Sequence, residues 1–184
     1  MVNVSNAELA VLSLLVEQPR HAYEIEQVIE DRNMRYWTEI GFSSIYRVLT
    51  KLEESGLLTS ELQPPEGRGP ARKVYHPTPT GKEAWQQAAL HNLAKPERKY
   101  SSFLLGLDNL AALPPRDAQQ AVQTYMTDQQ TIYQELSVAV DNHPLRGDFF
   151  VGIFFDYLLN QLAGEITWLQ DFCERLDKHY QSGK

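Results

Sequence analysis

Residues 43–56 read Ser43-Ser44-Ile45-Tyr46-Arg47-Val48-Leu49-Thr50-Lys51-Leu52-Glu53-Glu54-Ser55-Gly56. Ile45, Val48, Leu49 and Leu52 fall at i, i+3, i+4 and i+7, the spacing that gathers apolar side chains on one face of a helix. Ser43 stands where an N-cap accepts an orphan backbone N–H, and Gly56 where a C′ glycine closes the last turn. The opposite face carries Ser44, Arg47, Thr50, Lys51 and Glu54, with Tyr46 at its edge. Ser44, Arg47 and Lys51 form one strip at i, i+3 and i+7, and all three are donors able to reach base edges and phosphates from a major groove. A solvated surface helix has the same composition, so the flanking sequence has to decide between the two.

Toward the N-terminus, Ser5-Asn6-Ala7-Glu8 forms a capping box. Leu9, Leu12, Leu15 and Val16 follow on one helical face, and Pro19 marks the stop. A second short helix fits residues 21–32, with Ala22, Ile25, Val28 and Ile29 inward. Toward the C-terminus, residues 57–63 and 72–76 are short and rich in β-formers. The loop Pro64-Pro65-Glu66-Gly67-Arg68-Gly69-Pro70 separates them, which predicts a hairpin with a long tip. Thr78-Pro79-Thr80-Gly81 restarts a helix with proline at its first turn. Three helices, two strands and a helix in that order make a winged helix-turn-helix with a two-stranded wing. Arg68, Arg72, Lys73 and Lys82 lie in a run without any acidic residue, at the loop and second strand where a wing meets DNA backbone or minor groove. A basic hairpin beside a basic helix face predicts DNA binding.

Composition narrows the remaining classes. The chain has 184 residues, 17 basic and 24 acidic, for a net charge of −7, so it is no generic polycation. Hydrophobic residues make up 42%, as in a folded globular protein. The single cysteine, Cys173, allows neither an internal disulfide framework nor a cysteine-rich zinc site. It falls on an apolar helical stripe, where a buried thiol is expected. The first residues lack the basic flank and cleavage site of a signal peptide, and no segment approaches the roughly 20 apolar residues of a membrane span. His21, His76, His91, His143 and His179 are scattered without metal spacing. No nucleophile stands beside a base and no glycine-rich loop joins a strand to a helix. The expectation is therefore a cytoplasmic non-enzyme without metal or cofactor, and without membrane attachment.

From Arg98 onward the chain reads as helical throughout. Ala118, Val122, Tyr125, Gln129, Ile132, Leu136 and Val140 recur in steps of four, three and four. Phe155, Leu162, Ile166, Leu169, Cys173, Leu176 and Tyr180 do much the same. Such near-heptad stripes call for long partner helices. Phe154, Leu158, Trp168 and Phe172 lie off the second stripe, so that helix needs more than one neighbour, and a second copy of the chain is the simplest. The fold expected is mainly α. It has a winged helix-turn-helix DNA-binding domain at 1–95 and a C-terminal α-helical dimerisation domain at 96–184.

Several motifs together resemble the PadR family of bacterial transcriptional regulators, in its larger class with a long helical C-terminal domain. They are Leu12-Ser13-Leu14-Leu15 with His21-Ala22-Tyr23-Glu24-Ile25, then Ser44-Ile45-Tyr46-Arg47-Val48-Leu49 through Gly56-Leu57. Gly69-Pro70-Ala71-Arg72-Lys73-Val74-Tyr75 and Thr78-Pro79-Thr80-Gly81 complete the set. The second half matches more loosely, best at Phe155-Asp156-Tyr157-Leu158 and Glu165-Ile166-Thr167-Trp168-Leu169. The resemblance implies a homodimeric repressor on a roughly palindromic operator in double-stranded DNA, released by a small, often aromatic effector. Carried onto this chain, the DNA-facing set is Tyr23, Ser43, Ser44, Tyr46, Arg47 and Lys51, with Arg68, Arg72 and Lys73 from the wing. Trp85, Tyr100, Phe103, Phe154, Phe155 and Trp168 are the aromatic residues available to line an effector cavity. Ala22 replaces the family's usual glycine before the tyrosine, and Glu66 places an acid in the wing loop. The alternative from the fold alone is a winged-helix protein-interaction module without specific DNA binding.

Overall fold

The computed structural model describes residues 4–41, 44–64, 71–96 and 100–182, which fall into two compact units, Met1–Glu97 and Arg98–Lys184. In the first unit, helix α1 (Asn6–Glu17) starts on the reciprocal cap written in the sequence. Glu8 N–H donates to the Ser5 hydroxyl at 3.3 Å, and Ser5 N–H donates to the Glu8 carboxylate at 2.7 Å. Ala10, Val11, Leu12, Leu14 and Leu15 are all buried, so α1 is enclosed on most of its circumference and forms the centre of the unit. Helix α2 (Ala22–Asp31) packs Ile25 and Ile29 against it, and helix α3 (Ser44–Glu54) packs Ile45, Leu49 and Leu52. Each of these fully buried aliphatic side chains contributes roughly 1.5–3 kcal/mol of transfer free energy. Helix α4 (Pro79–Ala94) completes the unit, with Ala84 in the core and the Trp85 indole N–H donating to the Ser13 hydroxyl at 3.2 Å.

The end of α3 follows from Gly56, whose φ is +69°. Leu57 N–H donates to Leu52 C=O at 2.9 Å and Gly56 N–H to Glu53 C=O at 3.0 Å. These two bonds are the Schellman pair that satisfies orphan carbonyls at a helix end. The expected hairpin follows as β2 (Leu58–Gln63) and β3 (Arg72–Pro77), in antiparallel register with Glu61 opposite Val74 and Gln63 opposite Arg72. The sheet has a third strand that the sequence reading does not contain. Strand β1 (Arg20–His21) pairs antiparallel with β3, Arg20 opposite Tyr75 and His21 opposite Val74, giving the order β1-β3-β2. His21, expected as the first residue of the second helix, is instead a strand residue and the N-cap of α2.

Arg20 is almost completely buried and donates to Leu14 C=O and to the Glu17 carboxylate. The same carboxylate accepts two bonds from Arg32, at 2.7 and 2.9 Å, and so ties the end of α1 to the C-cap of α2. Burial would raise the Glu17 carboxyl, but the Arg32 and Arg20 guanidiniums hold it below the ordinary carboxylate range. A folded-state value below the unfolded one stabilises fully above the unfolded value and is lost as pH falls through the folded one. Glu17→Gln is therefore expected to lower the melting temperature at neutral pH, with the gap from wild type narrowing below about pH 4. Parallel melting curves across pH check this.

The second unit contains α5 (Ser102–Asp108), α6 (Pro115–Asp141) and α7 (Phe149–Gln181). Gln119 bonds Asp177 at 2.6 Å and Tyr125 bonds Glu165 at 2.9 Å, so α6 and α7 run antiparallel. Gly147, at φ +95°, lies in their connection, and the Asp148 carboxylate caps α7 by accepting from Phe150 and Val151 N–H. Val122, Met126, Leu169 and Leu176 form the core between them. Burial pushes the Cys173 thiol up, and Asp177 adds to the effect. Phe149, Phe150, Ile153 and Tyr157 are more than half exposed along one face of α7. No described helix is long and apolar enough to cross a membrane.

Candidate nucleic-acid interface

The face of α3 opposite Ile45, Leu49 and Leu52 is open to solvent. Tyr46 is 60% exposed, and Arg47 and Thr50 are also exposed. The hydroxyl of Ser44 donates to Gly41 C=O and that of Thr50 to Tyr46 C=O, so both donor hydrogens are engaged by the backbone. Their oxygens can still accept. Arg47 makes no ion pair among the described residues.

The two lysines of the expected set differ from Arg47. Lys51 Nζ lies 2.7 Å from the Glu8 carboxylate, so the N3 residue of the α1 cap also anchors a lysine of α3. Burial would raise the Glu8 carboxyl, but Lys51 and the N–H and hydroxyl of Ser5 bring it below the usual range. Lys73 Nζ donates to the Glu53 carboxylate at 2.7 Å and lies 5.2 Å from the centre of the Tyr75 ring. Glu53 also accepts the Ser60 hydroxyl, so one carboxylate at the end of α3 joins both strands of the wing hairpin. Lys73 holds the Glu53 carboxyl down, with Ser60 second, and Glu53 in turn holds the Lys73 ammonium up.

A second group forms at the start of α2. The His21 Nδ1 accepts from Glu24 N–H at 3.2 Å, and the Glu24 carboxylate accepts the His21 N–H at 2.9 Å. Tyr23 is 62% exposed and stacks on the His21 ring with centroids 6.4 Å apart. Arg72 Nη1 reaches to 3.2 Å from His21 Nε2, because the β1–β3 pairing carries the base of the wing to this helix end. Tyr23, Arg72 and the N-terminus of α2 thus share one locus. His21 organises it, a role that sequence reasoning did not assign. The glutamate three residues after His21 is the signal that could have found it. Glu61, on the neighbouring strand β2, contacts Gln63 and His76. Ser43 and Arg68 lie outside the described residues.

The aromatic residues expected around an effector divide into separate places. Trp85 is partly buried and packs against the core of the first unit. In the second unit, Phe103 stacks on Tyr125 at 4.1 Å and meets Trp168 edge-on at 6.4 Å. Phe154 and Phe155 meet each other at 5.3 Å, with His143 against Phe155. Tyr100 is 88% exposed. An open groove of about 480 Å³ between α6 and α7 is lined by Gln130, Tyr133, Gln134, Ala163, Ile166 and Thr167, and by none of those six. Among the described residues no three His, Cys, Asp or Glu side chains gather as a metal site.

Residues 11–87, from within α1 to within α4, match the transcriptional regulator PadR-like family. This segment is a PadR-like domain. The fold of the whole chain is that of solved PadR structures. Bacillus subtilis PadR in complex with operator DNA has a TM-score of 0.76 at 19% identity, over 92% of this chain and 98% of that one. The same B. subtilis protein with p-coumaric acid gives 0.77 at 18% identity, over 94% and 99%. A PadR-like transcriptional regulator from Bacillus cereus gives 0.70 at 20% identity, over 95% and 97%. Comparison with proteins of curated function finds no match. The PadR-like domain contains α3, the wing and the Tyr23–His21–Arg72 locus, so every element of the candidate interface lies within the match.

Proposed function

We propose that the chain is a dimeric, cytoplasmic repressor that binds a roughly palindromic operator through its PadR-like domain. The observation that carries this reading is Arg47, an exposed guanidinium without an ion pair among the described residues, projecting from the middle of the polar face of α3 beside Tyr46. Arginine is the side chain best suited to bidentate contact with a guanine edge. Tyr23 and Arg72 at the start of α2 would take phosphates and fix the register of α3 in the groove. The exposed face of Phe149, Phe150, Ile153 and Tyr157 on α7 would be covered by the second protomer, an apolar surface of the kind that marks protein interfaces. Two-fold symmetry would then set two recognition helices about 34 Å apart, one turn of DNA. B. subtilis PadR, solved with operator DNA and with p-coumaric acid, supports a similar pairing of DNA and a small aromatic effector for this chain.

The test is binding to the chain's own upstream DNA and to a scrambled duplex of equal length, each across a salt series, with the mass of the complex measured by light scattering. The expected result is two protomers per duplex and a preference of roughly a thousandfold or more for the upstream fragment. Equal, steeply salt-dependent binding to both duplexes would overturn the reading in favour of a protein-interaction module.

A further inference from the structure

Four long basic side chains extend from α3 and β3 toward the proposed DNA face: Arg47, Lys51, Arg72 and Lys73. Arg47 and Arg72 have no acidic partner among the described residues, and Arg72 meets the His21 ring at 3.2 Å. Lys51 is held at 2.7 Å by Glu8 from α1, and Lys73 at 2.7 Å by Glu53 from the last turn of α3. Neither carboxylate is a loose surface group. Glu8 is 5% exposed and is fixed by the Ser5 N–H and hydroxyl, while Glu53 is fixed by the Ser60 hydroxyl. A rigid carboxylate beside an ammonium differs in kind from a flexible exposed pair, because it does not have to be ordered each time the pair forms.

We propose that Glu8 and Glu53 are positioning residues that hold Lys51 and Lys73 off the DNA backbone, removing two phosphate contacts from the interface. This rests on the DNA-binding reading above. A lysine transferred from such a carboxylate to a phosphate leaves a fixed negative charge next to the DNA. The exchange releases no net counterion, so it adds little to affinity or to salt dependence. The sequence-independent part of binding is correspondingly weak, and discrimination depends more heavily on the base-reading Arg47. Glutamine in place of either glutamate keeps the local hydrogen-bond acceptor and removes the charge. At position 8 glutamine also preserves the capping box.

The experiment uses the full chain with Glu8→Gln and Glu53→Gln, each alone and combined with Lys51→Met and Lys73→Met respectively. The probe is a scrambled duplex, titrated between 50 and 200 mM salt. Each glutamine variant should steepen the slope of log affinity against log salt by about one and tighten binding at about 0.1 M salt by up to about eightfold. Adding the matching lysine-to-methionine change should return both quantities to the wild-type values. Slopes unaffected by the glutamine changes would overturn the proposal. So would gains that survive loss of the lysine, since the carboxylate would then act by direct repulsion of phosphate. Should one glutamine variant fail to fold, the other decides. A wild-type protein that binds no duplex would refute the DNA-binding reading instead.

Discussion

Arg47→Ala is expected to lower affinity for the preferred duplex by about 1–3 kcal/mol, roughly 5- to 150-fold, and to flatten sequence preference at one position of each half-site. The side chain stands on the solvent face of α3, while neighbouring Val48 and Leu49 are buried. Truncation therefore removes the guanidinium without opening a cavity, and thermal stability should stay within about 0.5 kcal/mol of wild type. Arg47→Lys separates charge from geometry. Lysine retains the positive charge but not the planar fork that matches two acceptors on guanine. This variant should keep the wild-type salt slope and still lose preference at the same position. Selection from a randomised duplex pool, followed by titration of the winners against both variants, reads out all of these quantities. A uniform loss across sequences, with a salt slope shallower by about one in Arg47→Ala and unchanged in Arg47→Lys, would place Arg47 on a phosphate.

The parts of this fold that were legible in the sequence are those written in adjacent residues. Ser5 with Glu8, Gly56 after the last turn of α3, and Pro79 behind Thr78 are local signals, and each acts in the structure as its chemistry demands. The apolar spacing of α3 likewise identifies its buried face directly. What was not legible depends on residues distant in sequence. A two-residue strand has no periodicity, so β1 exists only because β3 lies beside it. His21 is not among the usual N-cap residues, and its ring accepts the Glu24 N–H in a place where serine or aspartate would be expected. In the second half Pro114-Pro115 opens α6 and Asn142-His143-Pro144 follows its end, both of them local signals, whereas the left-handed turn at Gly147 before α7 has no periodicity to announce it.

The candidate interface shows the same division. The strip Ser44, Arg47 and Lys51 follows from helical spacing, but the environment of each member does not. Lys51 and Lys73 look alike to Arg47 in a count of basic residues, yet each is paired with a glutamate from another element. Formal charge thus overstates the cationic strength of this face. The grouping of Arg72 with His21 and Tyr23 was equally hidden, because it requires the sheet order β1-β3-β2.

Gly81→Ala is expected to destabilise the first unit by about 3 kcal/mol or more, although helix propensity alone would favour alanine by about 1 kcal/mol. The opposing term is steric. A Cβ at position 81 would lie 2.0 Å from the carbonyl oxygen of Leu57 and 3.0 Å from its carbonyl carbon, and both atoms belong to the backbone. That carbonyl cannot retreat cheaply. It accepts Thr78 N–H at 3.0 Å and the Thr78 hydroxyl at 3.2 Å, while Leu57 N–H closes the end of α3 on Leu52. Thr78 in turn caps α4 by accepting Gly81 N–H at 3.0 Å. Moving α4 away from Leu57 would therefore break its own cap and loosen the turn that joins α3 to the wing. With total stabilities of domains near 5–15 kcal/mol, a loss of this size should visibly shift the urea midpoint and weaken DNA binding at elevated temperature. Lys82→Ala, one residue on and exposed, serves as the control and should change stability by no more than about 0.5 kcal/mol. A Gly81→Ala protein as stable as wild type would show that α4 is not seated on Leu57, and the mutual fixing of α3, the hairpin and α4 would fail with it.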